Sequence, residues 1–491
     1  MLNPPFLPKY SRQSRSPSVT KGGTFYYPYM LAYATGVLDK AGVDVYLKDA
    51  VAEEWSRQQT MEYAAKLKPS LVVVDTGIPS FENDVAVAEE IKKATNAHVC
   101  MVGWHCMDKK KAFDFSDMVD SICRGEYDYA IRDLAETLEE RGDLSTVQGL
   151  SFRDEDGEIV DNPDRPLIQN LDELPYVSEV YKKHLGMKGI KKYFYASLLW
   201  PQVTIKTARG CAHNCSFCPI PFKASYRARS PQNVVGEFVW IEKNLPEVKE
   251  VQIEDPTFPL NEARTKEICR LLVEKGVKLK WSCNARVNMK KETLQMMKDA
   301  GCRLLCVGFE TPSLEVLNAI HKGTTEEMQM NFMKNCRAVG LLVNGCFILG
   351  LPNDTRKTMQ ETIEFAKRLN CDTAQFYPLM CYPGTEAYEW ARTRGVLESD
   401  SLSALLDDKG HHRANVKGPE GMSSDELVAW CDKALKEFYL RGDYILYKLQ
   451  QSLTNYPEAI RTMKSAKVFF IQLPGMILKT KKIGQKRGSA E

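Results

Sequence analysis

Three cysteines in one short loop constrain this chain more than any other feature of its sequence. Cys211, Cys215 and Cys218 have the spacing C-x3-C-x2-C, which lets a tight loop aim three thiolates at one point and suits a cubane iron–sulfur cluster better than a disulfide. Four-iron clusters are normally held by four cysteines, so three thiolates leave one iron open to a ligand that is not protein. The alternative is a structural zinc site with His213 as the fourth ligand, although His213 lies inside the short loop and no second C-x2-C pair follows.

The composition indicates an enzyme of more than one domain in a reducing compartment. Its 491 residues suggest about three domains. The 15 cysteines are scattered singly through apolar stretches, which predicts buried thiols rather than a disulfide framework. No apolar run opens the chain as a signal peptide would, and no stretch approaches the ~20 apolar residues of a membrane span. A formal net charge of +2 gives no general attraction to nucleic acid, so we expect a cytoplasmic protein without a nucleic-acid partner.

An N-terminal α/β domain is predicted over residues 1–140. Helical patterns alternate there with short β-branched runs, which predicts an open parallel sheet of the flavodoxin-like type. The candidate strands are 44–49, 71–76, 98–104 and 121–125, with helices at 55–66 and 83–94. Because ligands of such sheets bind beyond the carboxyl ends of the strands, the candidate binding residues are Asp49, Asp75 and Gly125. For the two aspartates the alternative is a cap on the following helix.

The rest of the chain divides into three predicted segments. Residues 141–200 form a linker that contains a β-hairpin around Asp156-Gly157. Residues 201–390 resume the alternation and predict a partial (β/α)6 barrel. Its candidate strands lie near 248–253, 280–284, 304–309, 342–348 and 373–377. Residues 391–491 form a helical region that ends in a basic, apolar tail.

Polar and glycine residues follow the strands of the predicted barrel, at the edge where barrel chemistry is located. A guanidinium is the donor best matched to a carboxylate, and Arg286 follows the strand at 280–284. Each residue alone is explained as well by a helix cap or by close packing, so the prediction depends on their order after one cysteine loop. The candidate set is Glu254, Asp255, Asn284, Arg286, Glu310, Gly345 and Gly350, with Phe217 inside the cysteine loop. The pattern singles out no catalytic residue.

The cysteine loop resembles that of the radical S-adenosylmethionine (SAM) superfamily. The resemblance rests on the three cysteines, on Arg209-Gly210 before them and on the aromatic Phe217. It implies that the cysteines hold a [4Fe-4S] cluster whose open iron binds the amino and carboxylate groups of SAM. The reduced cluster would cleave SAM to a 5′-deoxyadenosyl radical. A flavodoxin- or ferredoxin-type electron donor is implied as a partner.

The same resemblance implies roles for the strand-end residues in binding SAM. Glu254 and Asp255 are the implied acceptors for the SAM amino group, and Arg286 is the implied partner of its carboxylate. Glu310 is implied to contact the ribose or the amino group. The run from Gly345 to Gly350 resembles the G-x-I-x-G motif near the adenine, although its first glycine lies one residue too far from the isoleucine.

The N-terminal domain, standing just upstream of such a core, resembles the cobalamin-binding domain of class B radical SAM enzymes. Cobalamin is therefore implied as a third cofactor. Cobalamin proteins that ligate cobalt from below use Asp-x-His-x-x-Gly, whereas Asp49 is followed by Ala50, Val51 and Ala52. Either cobalamin binds without a protein ligand to cobalt, or the domain has kept the fold and lost the cofactor. His105 is a candidate replacement ligand, with a hydrogen-bonded wall residue as the alternative.

Five segments together resemble the radical SAM family of hopanoid biosynthesis that helps to form the cyclitol ether headgroup. They are residues 25–32, 162–165, 281–285, 347–352 and 382–385. The resemblance covers most of residues 20–450 and implies a lipid substrate with a sugar-like headgroup and a radical ring contraction. Neighbouring cobalamin-type methyltransferases and cyclases share much of this pattern.

The C-terminal region bears on the substrate. The run Ser423-Ser-Asp-Glu426 predicts a capping box that opens one long helix toward Leu453. Beyond it, apolar runs at 468–471 and 476–478 are flanked by lysines, which suits an interfacial anchor on an anionic bilayer. A disordered basic tail is the alternative.

Three functions follow from these patterns. The leading expectation is a radical rearrangement or cyclisation of the headgroup of a hopanoid or similar lipid. The second is cobalamin-dependent C-methyl transfer, and the third is a non-catalytic cobalamin or redox sensor, which the ordered SAM contacts disfavour. Methylthio transfer to tRNA is disfavoured because the additional cysteine domain of that family has no counterpart upstream of Cys211.

Overall fold

The computed structural model describes residues 1–103, 113–220, 225–467 and 470–471, and these form two compact units. Unit 1 comprises Met1–Val19 and Phe25–Tyr193, and unit 2 comprises Thr20–Thr24 and the chain from Phe194 onward. Each unit is an α/β structure built around a largely parallel sheet. None of the helices in the described ranges is long and apolar enough to cross a membrane.

Unit 1 contains a seven-stranded sheet. Its strands are β1 Leu2–Asn3, β2 Lys48–Asp49, β3 Leu71–Thr76, β4 His98–Gly103, β5 Ser121–Cys123, β6 Leu150–Arg153 and β7 Ile159–Asp161. Strands β1 to β5 are parallel in the spatial order 2-1-3-4-5, and the antiparallel pair β6 and β7 extends the sheet beyond β5. This parallel order is that of flavodoxin-like doubly wound sheets, with the topological switch point between β1 and β3.

The helices of unit 1 cover a sheet whose central strands are apolar on both faces. They are α1 Tyr29–Lys40, α2 Arg57–Leu67, α3 Phe81–Thr95, α4 Asp128–Glu140, α5 Val177–Val180 and α6 Gly186–Ile190, with a π-helical turn at Tyr181–Leu185. All but the first residue of β3 is buried, as expected for a parallel strand covered on both sides. A capping box formed by Ser56 and Gln59 begins α2, where it satisfies amides that lack helical partners.

The predicted elements of unit 1 agree with the structure at β3 and at the hairpin, and they disagree at the first two strands. The strand predicted over 44–49 is reduced to Lys48–Asp49. Strand β1 was not predicted, because two residues before Pro4-Pro5 carry too little pattern to indicate a strand. The hairpin predicted within the linker 141–200 is present and belongs to the sheet of unit 1.

Unit 2 contains a six-stranded parallel sheet and a small antiparallel pair. Its strands are β8 Gln202–Ile205, β9 Ala208–Arg209, β10 Arg227–Ala228, β11 Glu250–Ile253, β12 Lys280–Ala285, β13 Cys302–Glu310, β14 Leu342–Leu349 and β15 Thr373–Pro378. The large sheet has the order β15-β14-β13-β12-β11-β8, and β9 pairs with β10. Strands that follow one another in chain order with helices between them give the topology of an open (β/α)6 barrel.

The helices of unit 2 differ from the prediction in the C-terminal region. They are α7 Pro231–Asn244, α8 Glu262–Glu274, α9 Lys291–Asp299, α10 Leu314–Ala319, α11 Glu326–Val339, α12 Arg356–Leu369, α13 Glu386–Thr393, α14 Ser424–Tyr439 and α15 Gly442–Thr454. The capping box at Ser423 is present, but the single long helix predicted to follow it is wrong. The helix breaks at Arg441, whose backbone is extended and whose guanidinium donates to Lys367 O at 2.7 Å and to the Asn370 side chain. These contacts stabilise the extended backbone of Arg441, so the helix ends before Gly442.

The two faces of the six-stranded sheet differ in polarity, and this difference places the site. The face that packs against the helices is apolar: Phe309 contacts Phe332 of α11, and Phe376 contacts Phe438 of α14. The strand register puts the alternate residues on the opposite, inner face. Those inner residues include Gln252, Ser282, Asn284, Cys306, Asn344, Cys346, Thr373 and Gln375. The same face also holds the buried Glu250, which pairs with Arg303 at 2.9 Å. Branched aliphatic residues usually fill a barrel interior, so this polar lining indicates a face built for a ligand.

Candidate active site

The cysteine loop is held in place by a carboxylate on the neighbouring strand end. Asp255 is fully buried, and its Oδ1 accepts hydrogen bonds from the backbone amides of Thr207 at 2.7 Å and Ala208 at 3.0 Å. Its Oδ2 accepts from the Thr207 hydroxyl. The sequence predicted Asp255 as a contact of SAM, and the structure gives it the further task of fixing the chain that enters the loop.

The three cysteines lie between this entry and two helices of unit 2. Cys211 and Cys215 are buried and Cys218 is partly exposed. The Ser216 amide donates to Ile320 O at 3.2 Å, and Ser216 O accepts from the amide of Ala387 at 3.0 Å, so the end of α10 and the start of α13 hold the middle of the loop. None of the described cysteines forms a disulfide, as predicted.

The residues of the loop fit a cluster that carries its own open coordination site. A cubane binds each thiolate to a separate iron, whereas a zinc ion draws all its ligands to one point. Among the described residues no three His, Cys, Asp or Glu side chains converge on a position for a single metal ion. In the same loop the buried atoms His213 Nε2 and Ser216 Oγ have no hydrogen-bond partner within the described ranges. Burial, with the nearby cations Arg286 and Lys322, lowers the His213 pKa to about 4, so its imidazole is neutral.

A chain of cations and carboxylate runs beside the loop. Arg286 Nη1 lies 3.6 Å from Cys215 Sγ, and its Nη2 donates to the backbone oxygen of Lys322. Lys322 Nζ in turn donates to Glu310 Oε1 at 2.6 Å, and both side chains are buried. Glu310 has a φ of 65°, and a Cβ at Gly308 would lie 2.3 Å from its Oε1, so the missing side chain makes room for the carboxylate. Lys322 was not predicted, because a lysine in a short turn gives no sequence signal.

The remaining predicted residues of unit 2 divide between the site and the core. Asn284 Nδ2 donates to Asp255 O at 3.0 Å, and Glu254 accepts from Gln252 at 3.2 Å, so both lie at the strand ends beside the loop. Phe217 packs against the apolar cluster that contains Ile320 and Leu351. Their predicted contacts with SAM stay predictions.

The two predicted glycines are explained by packing. A Cβ at Gly345 would lie 2.8 Å from Cys371 Sγ, and one at Gly350 would lie 2.6 Å from the Leu427 side chain. Gly345 faces the helices, since it alternates with the inner residues of β14. Gly350 has a φ of 81° and its amide donates to Asp354 at 3.0 Å. The predicted adenine contact is therefore not needed to explain either glycine.

The predicted residues of unit 1 lie at the carboxyl ends of its strands. Asp49 accepts hydrogen bonds from Asn3, from the Tyr193 hydroxyl at 2.8 Å and from the Ala52 amide at 3.0 Å, so it caps the turn after β2. Asp75 accepts from Gln13 at 2.7 Å, and burial raises the Asp75 pKa to about 7. Gly125 has a φ of 71° beyond β5. His105 lies outside the described residues.

One pair of residues on the inner face was missed by the sequence reasoning. Cys306 Sγ and Cys346 Sγ are 3.7 Å apart on the adjacent strands β13 and β14, and both are partly exposed. Asn344 Nδ2 lies 3.5 Å from Cys306 Sγ. Their separation by 40 residues hid the pair, and only alternation along both strands could have placed them on one face.

The comparisons with known proteins identify the superfamily. The model of the radical SAM superfamily matches residues 205–366. An uncharacterized methyltransferase of Pyrococcus horikoshii is 30% identical over 431 residues, which cover 86% of this chain and 90% of that protein. The anaerobic magnesium-protoporphyrin IX monomethyl ester cyclase of Rubrivivax gelatinosus is 24% identical over 86% of this chain and 75% of that protein.

Solved structures match the fold of both units. The radical SAM methyltransferase TsrM of Kitasatospora setae, with tryptophan and a SAM analogue bound, has a TM-score of 0.65 at 20% identity and covers 84% of this chain and 86% of that one. The cobalamin-dependent radical SAM enzyme OxsB has a TM-score of 0.67 at 17% identity and covers 90% of this chain and 69% of that one. The superfamily match and the relative that is similar over 86% of the chain agree with the cysteine loop. The chain therefore belongs to the radical SAM superfamily, and it is an enzyme whose cofactors include a [4Fe-4S] cluster and SAM.

Proposed function

We propose that this enzyme transfers a methyl group from SAM to an unactivated carbon, with cobalamin bound by unit 1. The observation that carries the proposal is the similarity to a protein named as a methyltransferase, which extends over most of both units. The fold similarity to TsrM and OxsB, whose solved structures include cobalamin-bound forms, supports the same assignment. The third candidate, a non-catalytic sensor, is set aside because the chain is an enzyme.

The strand ends of unit 1 fit a ligand of this kind. The switch point between β1 and β3 is where doubly wound sheets bind their cofactors. At this edge Thr76 Oγ1 is buried without a hydrogen-bond partner among the described residues. Gly103 has a φ of 115°, and a Cβ there would clash with Thr76 O at 2.3 Å, so the end of β4 needs a glycine to lie this close to the end of β3. Val51 stands where a cobalt-ligating histidine would be, so the proposed binding mode has no such ligand.

The proposed reaction uses two molecules of SAM for different ends. When bound, the cluster and SAM supply a 5′-deoxyadenosyl radical that takes a hydrogen atom from the substrate carbon, and cobalamin supplies a methyl carrier. One SAM accepts an electron and leaves as methionine and 5′-deoxyadenosine, and the other gives up its methyl group and leaves as S-adenosylhomocysteine. A flavodoxin- or ferredoxin-type donor supplies two electrons: one cleaves the first SAM, and the other is consumed when the methyl group of the second SAM joins the substrate radical. Asp255 fixes the loop, and Lys322 balances the charge of Glu310.

A second candidate is the radical rearrangement or cyclisation of a lipid headgroup, such as that of a hopanoid. The thiol pair Cys306 and Cys346 favours it, because a rearranged product radical has to be quenched and a thiol donates a hydrogen atom. One thiol gives its hydrogen atom to the product, and the resulting sulfur radical joins the other thiol as a disulfide. That step releases a proton and an electron, and the electron returns to the oxidised electron donor. A dithiol then reduces the disulfide.

One experiment separates the two candidates. The reconstituted enzyme is incubated anaerobically with S-adenosylmethionine deuterated in its methyl group, a reductant and a lipid extract, and the products are analysed by mass spectrometry. Methyl transfer predicts a product that carries the labelled methyl group, together with S-adenosylhomocysteine. Rearrangement predicts an unlabelled product that gains solvent deuterium in heavy water.

The variants give each candidate a further check. Cys306→Ser with Cys346→Ser should abolish a rearranged product and leave methylated product unchanged. A product with no labelled methyl group would reject the leading proposal. A labelled product formed without added cobalamin by cobalamin-free enzyme would reject the role of unit 1.

A further inference from the structure

Helix α15 presents an apolar stripe to solvent. Ile445, Leu446, Leu449 and Leu453 are 45%, 57%, 58% and 87% exposed. At about 100° of rotation per residue, these four side chains fall within one arc of about 100° on the helix. A contiguous exposed patch of branched aliphatic residues marks an interaction surface.

The polar side of α15, by contrast, faces the protein. The Tyr444 hydroxyl donates to Asp372 O at 2.8 Å, and Gln451 donates to Asp372 Oδ1 at 3.2 Å. Lys448 is buried on the same side, and burial lowers the Lys448 pKa to about 8. Because several buried contacts fix this orientation, the aliphatic stripe is held outward by the fold itself.

The helical residues 456–467 repeat this arrangement. Glu458 and Arg461 are buried and ion-paired, and Glu458 also pairs with Arg303. On the outer side, Tyr456 is 77% exposed and Met463 is 64% exposed. Phe470 and Ile471 are also exposed, by 60% and 70%. We name these exposed residues and the stripe of α15 the C-terminal apolar surface.

The chain between Glu458 and Glu491 carries charge of one sign, and α15 contributes one exposed carboxylate, that of Asp443. Between Ala459 and Ala490 the sequence contains no Asp or Glu, and its basic residues are Arg461, Lys464, Lys467, Lys479, Lys481, Lys482, Lys486 and Arg487. Lys464 and Lys467 are exposed beside Met463, while residues 472–491 lie outside the described part of the chain. Two copies of such a surface would repel each other, whereas an anionic bilayer attracts each basic residue by about 1 kcal/mol.

We propose that the C-terminal apolar surface docks on the interface of an anionic lipid bilayer. Exposed Leu, Ile, Met, Tyr and Phe side chains enter the headgroup boundary, and the lysines contact lipid phosphates, as in interfacial amphipathic helices. The proposal is independent of the methyl-transfer assignment, since it uses none of the residues of the cluster loop.

The C-terminal apolar surface lies at the opposite edge of the sheet from the cluster loop. Asp372 precedes β15, and Arg303 lies at the start of β13, so α15 and residues 456–467 pack at the amino ends of the strands. The cluster loop follows the carboxyl end of β8, at the opposite edge of the parallel sheet. Docking therefore brings the enzyme to the membrane without covering the cluster loop.

The test is co-sedimentation of the full-length reconstituted protein with vesicles of phosphatidylcholine alone or with phosphatidylglycerol. We expect binding to the mixed vesicles that falls at high salt. The triple variant Leu446→Gln, Leu449→Gln, Leu453→Gln should bind at least tenfold more weakly, as should Lys464→Glu with Lys467→Glu. The control Val273→Gln replaces an aliphatic residue that is 56% exposed on α8 and should bind like the wild type.

SAM cleavage measured as 5′-deoxyadenosine should be the same in all variants, which shows that they are folded. Equal binding of the triple variant and the wild type would overturn the proposal. So would a wild-type dimer that the triple variant converts to monomer in sedimentation velocity, because the surface would then be a contact between two copies of the chain.

Discussion

At the scale of single residues, the thiolates of the cysteine loop depend on groups that are not ligands. Asp255 fixes the backbone that enters the loop, and Arg286 lies beside Cys215 Sγ. A buried carboxylate that accepts several hydrogen bonds is costly to alter, because its donors are left without partners. The predictions for these residues therefore separate loss of the cluster from loss of SAM.

The cysteines give the first prediction. Cys211→Ala, Cys215→Ala and Cys218→Ala should each abolish SAM cleavage in anaerobically reconstituted protein, because each thiolate is expected to hold its own iron. The measurement is 5′-deoxyadenosine by chromatography with iron content in parallel. The controls Cys302→Ala and Cys371→Ala remove buried thiols of the core and should keep activity. 5′-Deoxyadenosine production by any of the three loop variants would contradict the ligand assignment.

Asp255 gives the second prediction. In the wild type, two backbone amides and a hydroxyl donate to the Asp255 carboxylate, and in Asp255→Asn the new amide group faces these donors. The folded conformation of the loop entry should therefore lose about 1.5–3 kcal/mol of stability for each charged hydrogen bond removed. We expect lower iron content as well as weaker SAM binding. The neighbouring Glu254→Gln is the control, and it should retain its iron. Full iron content with reduced SAM affinity in Asp255→Asn would instead assign Asp255 to SAM alone.

Asp75 gives a prediction for the dependence of stability on pH. Its pKa of about 7, raised from 3.8 by burial, means that the folded state holds the proton more tightly than the unfolded state does. Stability is therefore lost as the pH rises from about 4 to 7. Each pKa unit corresponds to about 1.4 kcal/mol, which gives an upper limit of about 4 kcal/mol. Asp75→Asn should flatten the loss of unfolding free energy between pH 5 and pH 8 in urea titrations, and the exposed Asp156→Asn should not. If the pH profile of Asp75→Asn ran parallel to that of the wild type, the prediction would be wrong, and the Asp75 carboxylate would be stabilised by its partners.

At the scale of elements, the loop between β9 and β10 needs a glycine where the chain turns. Gly210 has a φ of 77°, and a Cβ there would lie 2.4 Å from Ser225 O. Gly276 has a similar φ of 67°, but nothing lies within 4 Å of its Cβ position. The two glycines therefore separate the cost of the backbone conformation from the cost of the close approach.

We expect Gly210→Ala to lose iron and SAM cleavage, because both costs act on the cluster loop. Gly276→Ala should lose only the ~1–2 kcal/mol of unfolding free energy that a non-glycine residue in the left-handed conformation costs, and it should keep its iron. The measurements are iron content and the midpoint of thermal unfolding. Equal iron in the two variants would mean that the loop tolerates the shift of Ser225 O.

At the scale of the whole molecule, the chain joins a flavodoxin-like unit to a radical SAM unit, and the cofactor of the first is open to test. If cobalamin binds, its Co(II) form should show no nitrogen hyperfine coupling from the protein in electron paramagnetic resonance, because Val51 occupies the usual ligand position. His105→Ala should leave the spectrum unchanged. Protein-derived nitrogen coupling that disappears in His105→Ala would identify His105 as the lower ligand.

The sequence by itself determined the chemistry of the cluster loop and the class of the fold. Three thiolates at close spacing act through local geometry, and alternating strands and helices such as β3 and α3 have periodicities that a chain shows without its partners. Long strands such as β13 and β14 were predicted for the same reason. The short β1 was missed, because its two residues become a strand only when β2 and β3 pair with them.

The tertiary structure decided which of these residues share a site and which only pack. Lys322 reaches Glu310, and Cys306 meets Cys346, because strand register brings distant residues onto one face. Gly345 faces the helices for the same reason. The orientation of α15, with its aliphatic side outward, depends on where Asp372 lies at the end of the sheet. A sequence pattern cannot contain that information, because periodicity shows that a helix has two faces but only packing decides which one meets water.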